Sequence, residues 1–171
     1  MLKGKSIFLR VVEKSDDSTL FLWENDINNW KVSDTEIPFS MHSIHQLIDQ
    51  QSDLRNCGQL RFIICLTNDN KPIGTIDLYD VNFKHRFASV GILIADSSER
   101  KKGFASEALD IIIAYCKETL ELRNLQCFIH HDNEQSVNLF SQKGFTYAGK
   151  RLNWLQFKGE FYDLHNYQLV L

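Results

Sequence analysis

Aliphatic residues recur at every second position from Ile7 through Leu9 to Val11, and this period of two predicts a first strand over Ser6–Val12. Ser15-Asp16-Asp17 then supply cap residues and first-turn acidity for a helix to about Glu24, with Leu20 and Trp23 on its buried side. Pro38-Phe39-Ser40 closes a loop. Ser40 caps a second helix, in which Ile44, Leu47, Ile48 and Leu54 are spaced for one face. Arg61 to Leu66 and Ile73 to Leu78 read as a hairpin across the turn Asn68-Asp69-Asn70. A fourth strand, Val90 to Ala95, follows a polar loop containing Asn82, Lys84, His85 and Arg86.

In the second half the period alternates between helical and extended. Gly103 to about Glu118 predicts a helix whose stripe is Ala105, Ala108, Leu109, Ile112 and Cys116, widened by Phe104, Ile111 and Tyr115. So apolar a helix packs on a sheet. Leu125 to Ile129 is a strand. Asn133 caps a short helix carrying Val137 and Phe140, stopped by Gly144. Phe145 to Ala148 and Tyr162 to Val170 are the last strands. A β-rich half followed by β-α-β-α-β-β predicts an α/β (α+β mixed) fold, with a right-handed crossover from Val90–Ala95 to Leu125–Ile129. The only prolines are Pro38 and Pro72, so no proline-rich linker divides the chain, and a single domain over 1–171 is expected.

Composition narrows the functional classes. Hydrophobic residues make up 43% of the 171, which excludes whole-chain disorder. The longest wholly apolar run, Ile111 to Cys116, is far too short to span a membrane. The opening Met1 to Lys5 does not read as a signal peptide, so a cytoplasmic location is expected. A net charge of −3 argues against a nucleic-acid binder driven by bulk charge. Cys57, Cys65, Cys116 and Cys127 form no C-x-x-C pair and read as reduced core thiols. His42-x-x-His45 and His130-His131 have no supporting ligands in sequence, so no metal is expected.

Chemistry concentrates in Ser98-Glu99-Arg100-Lys101-Lys102-Gly103-Phe104-Ala105-Ser106-Glu107-Ala108-Leu109. A strand ends, a basic turn follows and a helix of small residues begins. Amides at a helix N-terminus point outward with partial positive charge, and Gly103 admits a ligand to the backbone. That suits a diphosphate, and it reads equally as a solvated basic turn. Neither a Walker loop nor a dinucleotide fingerprint is present. A second segment, Asn133-Glu134-Gln135-Ser136-Val137-Asn138-Leu139-Phe140 before Lys143-Gly144-Phe145, has the order polar cap, short helix, glycine stop, aromatic strand start.

Together these segments resemble the GCN5-related N-acetyltransferase (GNAT) superfamily. Arg100-x-x-Gly103-x-Ala105 is similar to its Q/R-x-x-G-x-G/A acetyl-CoA motif, and Asn133-x-x-Ser136-x-x-Leu139-Phe140-x-x-x-Gly144-Phe145 to its second motif. Trp23-Glu24-Asn25-Asp26 and the loop Asn82 to Arg86 resemble the branch of spermidine and diamine acetyltransferases and ribosomal-protein N-terminal acetyltransferases. The resemblance implies a central mixed sheet splayed between its fourth and fifth strands, with helices on both faces. It implies acetyl-CoA as cosubstrate, its pantetheine arm bonded near Ile92, Leu93 and Ile94. The diphosphate would rest at Arg100, Lys101, Lys102, Gly103, Phe104 and Ala105. Asn133 would contact the pantetheine, and Phe140 would pack near the thioester.

An amine must be neutral to attack a thioester, yet an alkylamine has a pKa near ~10.4. The charge developing on the carbonyl oxygen needs donors, for which backbone amides around Leu93 are candidates. Many relatives carry a Tyr proton donor where this chain has Phe140, and a Glu where it has Ser89. Ser136, one turn before Phe140, is then a candidate donor to the thiolate. Asp77, Asp80 or His85 are candidates to take a proton through water. Positioning alone is a third possibility. Glu24, Asp26, Asp34 and Glu36 are candidates for a carboxylate-lined acceptor site, with Trp23 and Trp30 as its wall and Tyr147 and Tyr162 approaching from the last strands.

The expected function is acetyl transfer to a primary amine, with a polyamine or diamine favoured. The alternatives are a protein N-terminal acetyltransferase and a non-catalytic acyl-CoA binding module. Expected partners are acetyl-CoA and the amine, with no nucleic acid and no membrane. A homo-oligomer is compatible with the chain.

Overall fold

The computed structural model describes residues 1–33, 35–51 and 53–171. Its strands are β1 (Leu2–Lys3), β2 (Ile7–Val11), β3 (Leu60–Leu66), β4 (Pro72–Asn82), β5 (Phe87–Ile94), β6 (Asn124–His130), β7 (Thr146–Phe157) and β8 (Glu160–Val170). They form one sheet in the order β1-β2-β3-β4-β5-β6-β8-β7. Among the described residues only the β5–β6 pair is parallel, joined through the crossover helix α5 (Phe104–Glu118). The other helices are α1 (Asp17–Glu24), α2 (Trp30–Ser33), α3 (Met41–Gln50), α4 (Leu54–Cys57) and α6 (Glu134–Gln142).

Side chains alternate across a strand, so each strand feeds two cores. Ile7, Leu9, Phe62, Ile64, Ile76 and Val90 face Ala108, Leu109, Ile112 and Cys116 of α5. Phe8, Ile63 and Cys65 face the other way, onto Leu20 of α1 and Ile44 and Ile48 of α3. Each fully buried aliphatic side chain contributes roughly 1.5–3 kcal/mol. Helices therefore cover both faces of the mixed sheet, as the resemblance implied. None of them is long and apolar enough to cross a membrane among the described residues.

Several boundaries differ from the pattern. Val11 is half exposed, because the α5-facing core beneath β2 ends at Leu9. Leu54 leaves the α3 face: Asp53 accepts from the amides of Arg55 and Asn56 and starts the separate helix α4. Leu54 then packs on the larger core instead. β7 runs well past Ala148, because the register shift at Tyr147/Gly149 absorbs the glycine without ending the strand. Phe145 precedes β7 and is buried against Phe140. The short β1 raises the strand count by one, so the expected splay falls between β5 and β6.

Candidate active site

β5 pairs with β6 only at Phe87–Asn124, Ala88–Leu125 and Ser89–Gln126. Beyond Ser89 the strands part. Val90 to Ile94 stay bound to Leu78 to Gly74 of β4, while Cys127 to His130 of β6 pair with Tyr167 to Leu164 of β8. The gap thus exposes a strand edge on β5, whose Ile92, Leu93 and Ile94 are only partly buried. Unpaired strand backbone is a ready partner for an extended, amide-bearing ligand arm. Gly74 keeps β4 tight against β5 here: a Cβ at Gly74 would lie 2.1 Å from the Leu93 carbonyl oxygen.

β5 runs out into a 3-10 turn, Ser97–Glu99, and then into the basic turn before α5. Lys101 and Gly103 both adopt positive φ, +63° and +89°. Successive amides from Lys101 to Ala105 find no backbone acceptor among the described residues. A Cβ on Gly103 would meet nothing within 4 Å, so the turn opens to solvent. An array of unpaired amides at the mouth of a fifteen-residue helix fits a diphosphate.

The charged side chains there are less available than the sequence implied. Arg100 turns back, donating from Nε to the Ile94 carbonyl (2.8 Å) and from a terminal nitrogen to Asn29 Oδ1 (3.2 Å). Lys102 pairs with Glu99 at 2.8 Å. Lys71 pairs with Asp96 and Glu99, and with Ser98 it holds the Asp96 carboxyl at about 2. The amides and the Lys101 side chain are therefore the groups left to meet an anion there.

On the α1 side of the sheet, Arg61 of β3 is the organising cation. It donates from Nε and a terminal nitrogen to the two oxygens of Asp77 at 2.8 and 2.9 Å, and from its other terminal nitrogen to Glu24. The two carboxylates push its guanidinium pKa up despite burial, which works the other way. A cavity of about 370 Å³ opens beside it, lined by Glu24, Glu36, Phe39 and Arg61 among others. Glu24, Asp77 and Arg61 sum to −1, and Glu36 makes the cavity more acidic still. Arg61, Asp77 and Gly91 stand opposite one another on β3, β4 and β5. At ~4.8 Å per strand, the backbones of Arg61, which lines the cavity, and Gly91, which borders the gap, stand about 10 Å apart.

The segment after α1 arches over this region. The Asn25 side chain bonds both the amide and the carbonyl of Phe39, and Trp30 Nε1 donates to the Glu24 carbonyl. Lys31 reaches Asp132 and lies 4.1 Å over the Tyr162 ring.

The proposed site residues fall in several places. Glu24 and Glu36 line the cavity, whereas Trp23 packs on the smaller core. Asp34 lies outside the described residues. Asp77, one of the candidates to take a proton through water, has both carboxylate oxygens engaged by Arg61. His85 is exposed in the β4–β5 turn, beyond the end where β5 and β6 are still paired and away from the gap. Asn133 caps α6 by accepting from the Ser136 amide at 3.2 Å. Ser136 is half-buried, with no side-chain hydrogen bond among the described residues. Phe140 is buried edge-on against Phe145, ring centroids 5.0 Å apart. Tyr147 meets His165 and Tyr167 edge to face, while Tyr162 lies under the arch. Sequence reasoning missed Arg61 and Asn29. An arginine among the apolar residues of β3 was the available signal for the first.

Comparison with known proteins agrees with this architecture. The family model for the acetyltransferase (GNAT) domain matches residues 6–146. Spermidine N(1)-acetyltransferase of Escherichia coli K12 is 22% identical over 162 residues, covering 94% of this chain and 84% of that protein. An N-acetyltransferase 9-like protein of Nematostella vectensis is 41% identical over 108 residues, covering 57% of this chain and 54% of its own. The crystal structure of Vibrio cholerae spermidine N-acetyltransferase with CoA and spermine superposes with a TM-score of 0.89 at 21% identity, covering 98% of this chain and 96% of that one.

Proposed function

The chain belongs to the GNAT acetyltransferase family, and from that premise we propose that it transfers the acetyl group of acetyl-CoA to a primary amine of a polyamine. When bound, acetyl-CoA supplies an acetyl thioester open to attack by an amine. The chain's residues bind, align and neutralise. The amides of Lys101 to Ala105 receive the diphosphate. The free edge of Ile92 to Ile94 receives the pantetheine arm, and an amide of that edge steadies the carbonyl oxygen. Asn133 and Phe140 border the arm from α6.

The observation that supports a polyamine is the alignment of the acidic cavity with the gap along the row Arg61, Asp77, Gly91. An alkylammonium held at Glu24 and Glu36 leaves a second amine, about 10 Å away, at the gap. An extended triamine spans that distance, and a four-carbon diamine falls short. Two relatives share this substrate by name, the E. coli and V. cholerae spermidine acetyltransferases.

With Asp77 engaged by Arg61 and His85 exposed at the far turn, Asp77 holds Arg61 in place, and water takes the amine's proton. Ser136 offers a hydroxyl from α6.

The test is an acetylation screen read by mass spectrometry, with acetyl-CoA and a panel of spermidine, spermine, putrescine and amino-terminal peptides. Monoacetylated spermidine or spermine, with putrescine a poorer acceptor, is the expected result. Acetylation of peptides alone would move the chain to the protein-directed branch. CoA binding without thiol release for any amine would make it a binding module.

A further inference from the structure

Phe140 has no proton to offer a departing sulfur, and Asp77 is committed to Arg61. One phenol beside the gap has no role so far. Tyr79 stands on β4 directly opposite Ser89, the last β5 residue still paired with β6. It is two residues from Asp77, so it shares the α1 face of the sheet with Asp77 and the acidic cavity. Its ring leans along β5 towards the gap: Cε1 lies 3.6 Å from where a Cβ of Gly91 would be. Gly91 carries no side chain, so nothing on β5 stands between the ring and the opening. A tyrosine reaches farther than one strand spacing of ~4.8 Å. The charged and titratable groups that act on the phenol are Asp77 and Asp80 on its own strand and Cys127, the first β6 residue past the parting.

The Ser89 side chain also hydrogen-bonds the phenol and works against the groups that raise its pKa. The Ser89 hydroxyl donates towards Asp80 (3.5 Å) and accepts from Gln126 Nε2 (3.1 Å). Asp77 is neutralised by Arg61. We propose that the Tyr79 hydroxyl donates a hydrogen bond to the sulfur of CoA as it leaves, filling from the sheet the place that residue 140 leaves empty. This assignment rests on the acetyl-CoA reading above and makes Tyr79 a catalytic residue.

The bookkeeping closes without a further reactant. The amine nitrogen's electron pair forms the new C–N bond. The C–S bond breaks with its pair on sulfur. The surplus amine proton leaves through water and ends on the thiol, while the phenol keeps its own. Burial first, then Cys127, Asp80 and Asp77, push the phenol up to about 12, so it stays a donor throughout the neutral range.

The test compares the intact wild-type chain with Tyr79→Phe, Ser136→Ala and Tyr79→Phe/Phe140→Tyr, each saturated with CoA. The ionisation of the bound thiol is read from thiolate ultraviolet absorbance, and kcat and KM are measured alongside. Expected in Tyr79→Phe is a bound-thiol pKa at least about one unit higher than in the wild type. Its kcat should fall roughly 10- to 100-fold, with KM for acetyl-CoA nearly unchanged. Phe140→Tyr in that background should restore most of kcat, which a merely structural tyrosine would not permit. An unchanged thiol pKa in Tyr79→Phe, or a shift that follows Ser136→Ala instead, would overturn the assignment. Absence of CoA binding to the wild type by calorimetry would remove the underlying cofactor reading with it.

Discussion

Arg61 bears on stability directly and, under the proposed function, on specificity as well. Its guanidinium lies between two carboxylates on neighbouring elements, so removing it strands two partly buried anions. Arg61→Met should cost about 2–3 kcal/mol in chemical denaturation, somewhat less than a fully buried pair. Glu24→Gln keeps the packing and removes one negative charge from the cavity. It should raise KM for spermidine roughly 3- to 10-fold with kcat nearly constant, in steady-state kinetics. A larger fall in kcat than rise in KM would place Glu24 at the reacting amine instead. Asp16 behaves differently, because it is nearly buried and held by both terminal nitrogens of Arg10 at 2.7 Å. Burial raises its pKa, but the Arg10 bonds and the Glu13 amide outweigh burial and leave it below the usual carboxylate range. The unfolded chain therefore protonates Asp16 at a higher pH than the folded chain does. Its contribution is complete at neutral pH and is lost as pH falls through the folded value. Asp16→Asn should lower stability by about 1–2 kcal/mol at pH 7 and flatten the acid limb of a stability-versus-pH curve below pH ~4.

At the scale of elements, the decisive features are a strand that loses its partner and a helix that begins at an open turn. Gly103 sits at φ +89° with empty space where a side chain would be. Gly103→Ala should cost only about 1 kcal/mol in stability. It should weaken CoA binding at least about 10-fold in calorimetry, since the methyl intrudes on the ligand's side. Unchanged affinity would move the diphosphate elsewhere. The sequence made these elements legible where period and punctuation agree. The α5 stripe, the Ser40 and Asn133 caps and the β3–β4 hairpin all carry their own local signals. Leu54 misled, because its spacing continued α3 although Asp53 starts a new helix. β7 was cut short, because a register shift absorbs Gly149 in three dimensions only. Arg100 looked like a phosphate ligand, because nothing in sequence announces its bond to Asn29, seventy-one residues away.

For the whole molecule, the sheet brings together groups that the chain keeps far apart. Arg61, Asp77 and Gly91 align only because β3, β4 and β5 are neighbours in this register, and that row joins an acidic cavity to a cofactor gap. The proposed acetyl transfer needs both at once, one to hold the cationic acceptor and the other to present the thioester. A ligand that binds only the folded chain stabilises it by about 2.7 kcal/mol at one hundred times its dissociation constant. For a chain of this size that is a rise in Tm of roughly 5–10 °C. CoA should produce such a rise, and dephosphorylated pantetheine should produce little at equal concentration. The most direct test of the account is titration calorimetry of the wild-type chain with CoA and with pantetheine, which shares the arm but lacks the diphosphate. Binding of CoA at least about 100-fold tighter than pantetheine, with inorganic pyrophosphate competing, is the predicted result. Equal affinities, or no binding of CoA, would contradict it.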